Sequence, residues 1–68
     1  MMELRKESNE MFKEFYTGTN GRKVVNCILD DNCVRYIVFE GRRVKSRREF
    51  GNAQKELCFK NATKALNK

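Results

Sequence analysis

Gly41-Arg42-Arg43-Val44-Lys45-Ser46-Arg47-Arg48-Glu49 is the stretch on which the reading of this chain turns, and five of its nine residues are cationic. Glu40-Gly41-Arg42-Arg43 has the composition of a tight turn, with Gly41 supplying a positive φ at no steric cost. A short third strand, Arg43–Lys45, is expected after it, with Val44 paired to Phe39 across the turn. Ser46 followed by Glu49 has capping-box spacing, which makes Ser46 the expected N-cap of a helix over residues 47–66. Arg47 and Arg48 would then occupy the first helical turn, where cations face the positive end of the dipole and cost up to a few tenths of a kcal/mol each. Free N–H groups, dipole and guanidinium charge together suit a phosphate. Arg42, Arg43 and Lys45 would extend that site. The competing reading is a solvated charged loop.

Upstream, Arg22–Asp30 and Cys33–Glu40 are two runs rich in β-branched and apolar residues, separated by Asp31-Asn32. That pattern signals a hairpin. A two-residue loop at Asp31-Asn32 sets Leu29 opposite Val34, Cys27 opposite Tyr36, Val25 opposite Val38, and Lys23 opposite Glu40. Every partner on that face is apolar up to the terminal charge pair, so it is the expected core face. The other face carries Val24, Asn26, Ile28, Arg35, Ile37 and Phe39, more apolar than a solvated face needs. Val24, Ile28, Ile37 and Phe39 are therefore candidates for a homodimer contact or a host-protein interface. Basic and aromatic residues on a sheet can also stack single-stranded bases, but only one aromatic is placed there.

Residues 2–16 read as an amphipathic helix, with Leu4, Ser8, Met11, Phe12 and Phe15 at helical spacing on one face. Thr17-Gly18 and Asn20-Gly21 then act as its stop. In the last segment Phe50, Ala53, Leu57, Cys58, Ala62, Ala65 and Leu66 form an apolar stripe, and Lys60, Lys64 and Lys68 line up at i+4 on a wet face. Gly51 inside that helix costs roughly 1 kcal/mol relative to Ala. The expected fold is therefore α+β, α-β-β-β-α, a three-stranded antiparallel sheet with N- and C-terminal helices packed on one face.

Sixty-eight residues make a single small basic domain, 1–68, with a formal net charge of +6. The charge is uneven: residues 1–21 carry three basic and four acidic groups, residues 22–68 twelve and five. This asymmetry points to a cationic face and an anionic polymer partner. No apolar run approaches a membrane span, and the first ten residues lack a signal-peptide core. With three Cys in no disulfide pattern, an intracellular location, cytoplasmic or nuclear, is expected. There is no His and no C-x-x-C pair, so neither a metal site nor a cofactor is expected. Catalysis finds no acid–base His, no Gly-rich phosphate loop and no activated nucleophile, so the chain reads as a binding protein and not an enzyme.

The order α-β-β-β-α, with Ser46-Arg47-Arg48-Glu49, resembles the double-stranded RNA-binding domain, in which a Ser-Lys-Lys-x segment opens the last helix. Met11-Phe12-Lys13-Glu14-Phe15 is similar to the core of that family's first helix. The resemblance implies phosphate contacts by Arg47 and Arg48, an outer contact by Lys55, and Glu7 or Glu10 near the minor groove. The family's Ala-Ala positions fall on Gln54 and Lys55 here. Tyr36–Val44 through Phe50 also resembles the wing of small phage excisionase-type winged-helix DNA binders. The sheet-plus-helix arrangement is similar, too, to the arm-binding domains of phage integrases. All three resemblances place nucleic acid on the same joint. The expected partner is therefore RNA or DNA, held by Arg42, Arg43, Lys45, Arg47 and Arg48, with Arg22 and Lys23 close by. The alternative is a virus- or phage-type regulator of a host protein.

Overall fold

Ser46 does not start a helix; the chain continues through it as strand. The computed structural model describes residues 1–68 as five antiparallel strands followed by one helix. The strands are β1 (Arg5–Glu7), β2 (Glu14–Asn20), β3 (Lys23–Leu29), β4 (Cys33–Glu40) and β5 (Arg43–Gly51). They lie side by side in sequence order, a simple meander. A 3₁₀ turn at Asn52–Gln54 leads into the helix α1 (Lys55–Leu66). The expected three-stranded α-β-β-β-α arrangement is thus corrected to a five-stranded sheet with a single C-terminal helix.

Tertiary pairing explains both corrections. Along β5, Arg48 pairs with Tyr36 and Phe50 with Val34, so strand alternation carries Phe50 into the core at 8% exposure. Glu49 sits opposite Arg35, a favourable cross-strand charge pair. These contacts outweigh a capping box that would have stabilised only the helix end. The helix starts nine residues after Ser46, beyond Gly51, which is extended at φ −69° and ψ 157°. Asn52 Nδ2 donates to the Asp31 carbonyl at 2.7 Å and ties this joint to the β3–β4 turn.

At the N-terminus, the helical spacing over residues 2–16 includes Ser8-Asn9, and these residues make a turn instead. Asn9 Oδ1 accepts hydrogen bonds from the backbone N–H groups of Met11 and Phe12, the local bonding by which Asn competes with helix. Phe15-Tyr16-Thr17 then follow β propensity, and all seven residues of β2 find partners on β3. Gly18 is therefore not a helix stop but the middle of a strand. The turn lies one step on, at Gly21-Arg22, where Gly21 has φ 64°. Gly41-Arg42 repeats that geometry, again with φ 64° at the glycine alone, as a type II′ hairpin requires.

The β3–β4 hairpin has the register that the Asp31-Asn32 loop implies. Leu29 faces Val34, Cys27 faces Tyr36, Val25 faces Val38, and Lys23 faces Glu40. Phe39 pairs with Val44, also as the turn composition implies. All six apolar partners of the hairpin are buried, and α1 covers them with Cys58, Ala62 and Leu66, each 0% exposed. Those three residues recur every four positions, one helical stripe. Leu57, expected in the stripe, is 45% exposed. Ala53 precedes the helix and is exposed.

The element order behind the likeness to the double-stranded RNA-binding domain is absent. There is no first helix, and Ser46–Glu49 is strand. The excisionase-like hairpin exists as β4–β5, but strands precede it where a helix-turn-helix would be needed, and the integrase-like sheet has five strands instead of three.

Candidate nucleic-acid interface

β5 is an outer strand of the sheet, and every residue from Arg43 to Glu49 is exposed. The helix lies over β3 and β4, so the helix-side face of β5 is left overhanging. Side chains alternate along it. Arg48 and Ser46 point to the helix side with their partners Tyr36 and Val38, whereas Arg47 shares the open face with Ile37. Between Val38 and Phe39 the register slips by one residue, making Lys45 the extra residue of a β-bulge. The slip reverses the alternation, so Arg43, opposite Glu40, falls on the helix side like Arg48. Without the bulge the two arginines would lie on opposite faces.

Few of these cations are neutralised. Lys45 Nζ lies 3.2 Å from Glu40 Oε2, but both side chains are more than half exposed and such a pair contributes little. Arg42, Arg43, Arg47 and Arg48 take part in none of the four ion pairs in the molecule. The Arg48 guanidinium lies over the Phe50 ring, 5.0 Å from its centroid, which holds it along the strand.

Strand order brings the two Gly-Arg turns to the same end of the sheet. The Gly41 N–H donates to the Arg22 carbonyl at 3.0 Å, so Arg22 and Arg42 belong to one tip. Lys23 lies beside Lys45, Arg48, Lys64 and Lys68, but its ammonium is engaged with the helix end. Its Nζ donates to the carbonyls of Ala65 and Lys68 at 3.0 and 3.1 Å, capping the C-terminal end of α1. Lys55 lies at the opposite end of the helix, about 14 Å along its axis from Lys64. It pairs with Glu14 at 3.3 Å, and so stands apart from the other predicted site residues.

Between β5 and the C-terminal half of α1 runs an open cleft of about 740 Å³. Its walls carry Lys45 and Arg48 from the strand and Lys64 and Lys68 from the helix side, with Tyr36 and Ser46 bringing hydroxyls. No carboxylate side chain lines it. Lys64 and Lys68 were visible in the sequence only as part of an i+4 row on a wet helix face. That spacing places them on one side of α1 but does not say that β5 lies across from them.

The open face of the sheet is uncovered by any helix. Ile28 is nevertheless 6% exposed there, flanked in register by Phe15 and Arg35. Phe12 closes over the same corner, 6.2 Å from Phe15 and 5.9 Å from the Arg35 guanidinium. Val24, Ile37 and Phe39 are half-buried, and Val44 is 53% exposed. Arg35 is committed to Asp30 at 2.9 Å, and Glu7 and Glu49 offset Arg5 and Arg47, so this face is not basic.

Elsewhere the titrating groups are structural. Glu14 accepts from the Tyr16 hydroxyl and from Lys55, and these bonds hold its carboxyl below the usual range. The same bond pushes Tyr16 up to about 12. Cys27 and Cys58 are buried with their sulfurs 4.0 Å apart; burial raises both thiols, Cys58 to about 12. Cys33 is half-exposed, and all three are free. No group of His, Cys, Asp or Glu is placed to hold a metal ion. No helix is long and apolar enough to cross a membrane. No family model matches the chain, and no curated protein or solved structure matches it.

Proposed function

We propose that this domain binds nucleic acid, RNA or DNA, mainly through its phosphate backbone, using the basic edge formed by β5 and the two Gly-Arg turns. The observation that carries this reading is the set of four exposed arginines, Arg42, Arg43, Arg47 and Arg48, along one free edge, none of them in an ion pair. Cations on an edge strand also discourage sheet-to-sheet pairing. A bulge that sends Arg43 and Arg48 to the same side is not needed for that purpose. Lys45 and Arg22 extend the basic surface, and Lys23 supports it through the helix end. Binding of this kind is salt-dependent and only weakly sequence-specific. Free thiols accord with an intracellular site of action, cytoplasmic or nuclear. The role is binding and not catalysis.

The test is a titration of duplex RNA, duplex DNA and single strands at two salt concentrations. Replacing Arg47 and Arg48 together with Ala should weaken binding and flatten the slope of log K against log salt by up to about 2. Unchanged affinity and slope would overturn the phosphate-contact reading. A second reading has its own observation in the half-buried apolar patch of Val24, Ile37 and Phe39 on the uncovered face. There the domain would contact a host protein or a second copy of itself. Polar replacement of Ile37 and Phe39 would then abolish that complex and spare nucleic-acid binding.

A further inference from the structure

The geometry points to the cleft between β5 and α1 as the seat of a single strand of nucleic acid, its phosphates held by Arg48 and Lys45 on one wall and Lys64 and Lys68 on the other. This rests on the nucleic-acid reading above and narrows it to a strand type and a path. Three features of the cleft carry the inference. Its two walls are cationic and no acidic side chain lines it; the nearest carboxylate the walls engage is Glu40, beside Lys45, so positive charge predominates. It is small, about 740 Å³ in a domain of 30 × 24 × 22 Å, and is bounded by a strand and a helix packed on the same sheet. A duplex is too wide to enter such a gap and would touch only the rim, whereas a single sugar-phosphate chain fits within it. The bulge at Lys45 and the stacking of Arg48 on Phe50 turn the strand's cations toward this side and fix one of them in place. The opposite face balances its arginines with Asp30, Glu7 and Glu49 and offers no such field.

Two pairs of substitutions separate the cleft from the general charge of the domain. Lys60 and Lys64 lie on the same helix and carry the same charge, but only Lys64 lines the cleft. Arg5 and Arg48 are exposed arginines on the two opposite outer strands of the sheet, β1 and β5. Anisotropy titrations of the full chain would use a short oligothymidylate and a mixed-sequence duplex of equal length, at two salt concentrations. The single strand should bind more tightly. Arg48→Ala and Lys64→Ala should each weaken it several-fold and lower the salt slope by about 1, while Arg5→Ala and Lys60→Ala stay within about twofold of the parent. Equal losses within each pair, or a duplex bound as well as the single strand, would overturn the cleft assignment and leave the nucleic-acid reading standing. No salt-dependent binding of either probe would overturn both. All four side chains are outside the core, and unchanged circular dichroism checks that the variants stay folded.

Discussion

A β-carbon at position 18 would lie 2.6 Å from the Leu66 Cδ2, closer than any real contact allows, so Gly18 is the gap into which the last turn of α1 fits. Leu66 owes its complete burial to that gap, and Asn20 Nδ2 braces the same turn by donating to the Leu66 carbonyl at 2.8 Å. Gly18→Ala should therefore destabilise the domain by roughly 1–3 kcal/mol through overpacking. Adding Leu66→Ala should cost less in the Gly18→Ala background than in the parent, because the clash disappears with the side chain. Equilibrium denaturation of the four proteins gives the coupling directly. Simple additivity would show that Leu66 does not rest on Gly18.

Alkaline pH should weaken the fold. Burial lifts the Cys58 thiol from 9.0 to about 12, so above pH 9 the unfolded chain loses this proton while the folded chain keeps it. The stabilisation is complete below pH 9 and lost as pH rises toward 12. Tyr16 acts in the same sense, raised from 10.0 to about 12 by its bond to Glu14. Thermal melts of the parent, Cys58→Ala and Tyr16→Phe over this range should show a shallower decline for each variant. A decline identical to the parent in both would contradict these shifts.

Acid should act through Glu14. Its carboxyl is held below 4.5 by the Tyr16 hydroxyl and then by Lys55, so its contribution is present above that pH and lost as pH falls through the lowered value. Glu14→Gln should lower stability at neutral pH by at most about 1 kcal/mol, because the Lys55 partner is 44% exposed. The variant should also lose part of the parent's sensitivity below pH 4.5. Melting temperatures at neutral and acid pH provide the comparison.

Deleting Lys45 should leave the fold intact. The residue is the extra member of a bulge, and without it Val44 and Ser46 still meet Phe39 and Val38 on their present faces. Stability should change by less than about 1 kcal/mol. Deleting Val44 would instead leave Lys45 as the neighbour of Phe39. Amide exchange along β4 and β5 should show the present pairing in the Lys45 deletion, and a shifted ladder there would refute the bulge assignment.

The sequence alone determined the central hairpin. A two-residue Asp31-Asn32 loop and strict alternation leave one register in which every inward partner is apolar, so Val25, Cys27, Leu29, Val34, Tyr36 and Val38 were legible as core. Gly41 was likewise legible as a turn, because a tight hairpin needs a positive φ that glycine adopts without strain. Tertiary structure decided the two flanks. Residues 2–16 and 46–51 carry local helix signals, an apolar spacing and a capping box, and strand pairing against β3 and β4 outweighs them. It also moved the basic stretch off a helix end and onto an edge strand. There its charges gather through the bulge and through Lys64 and Lys68, which approach β5 only because α1 folds back over the sheet.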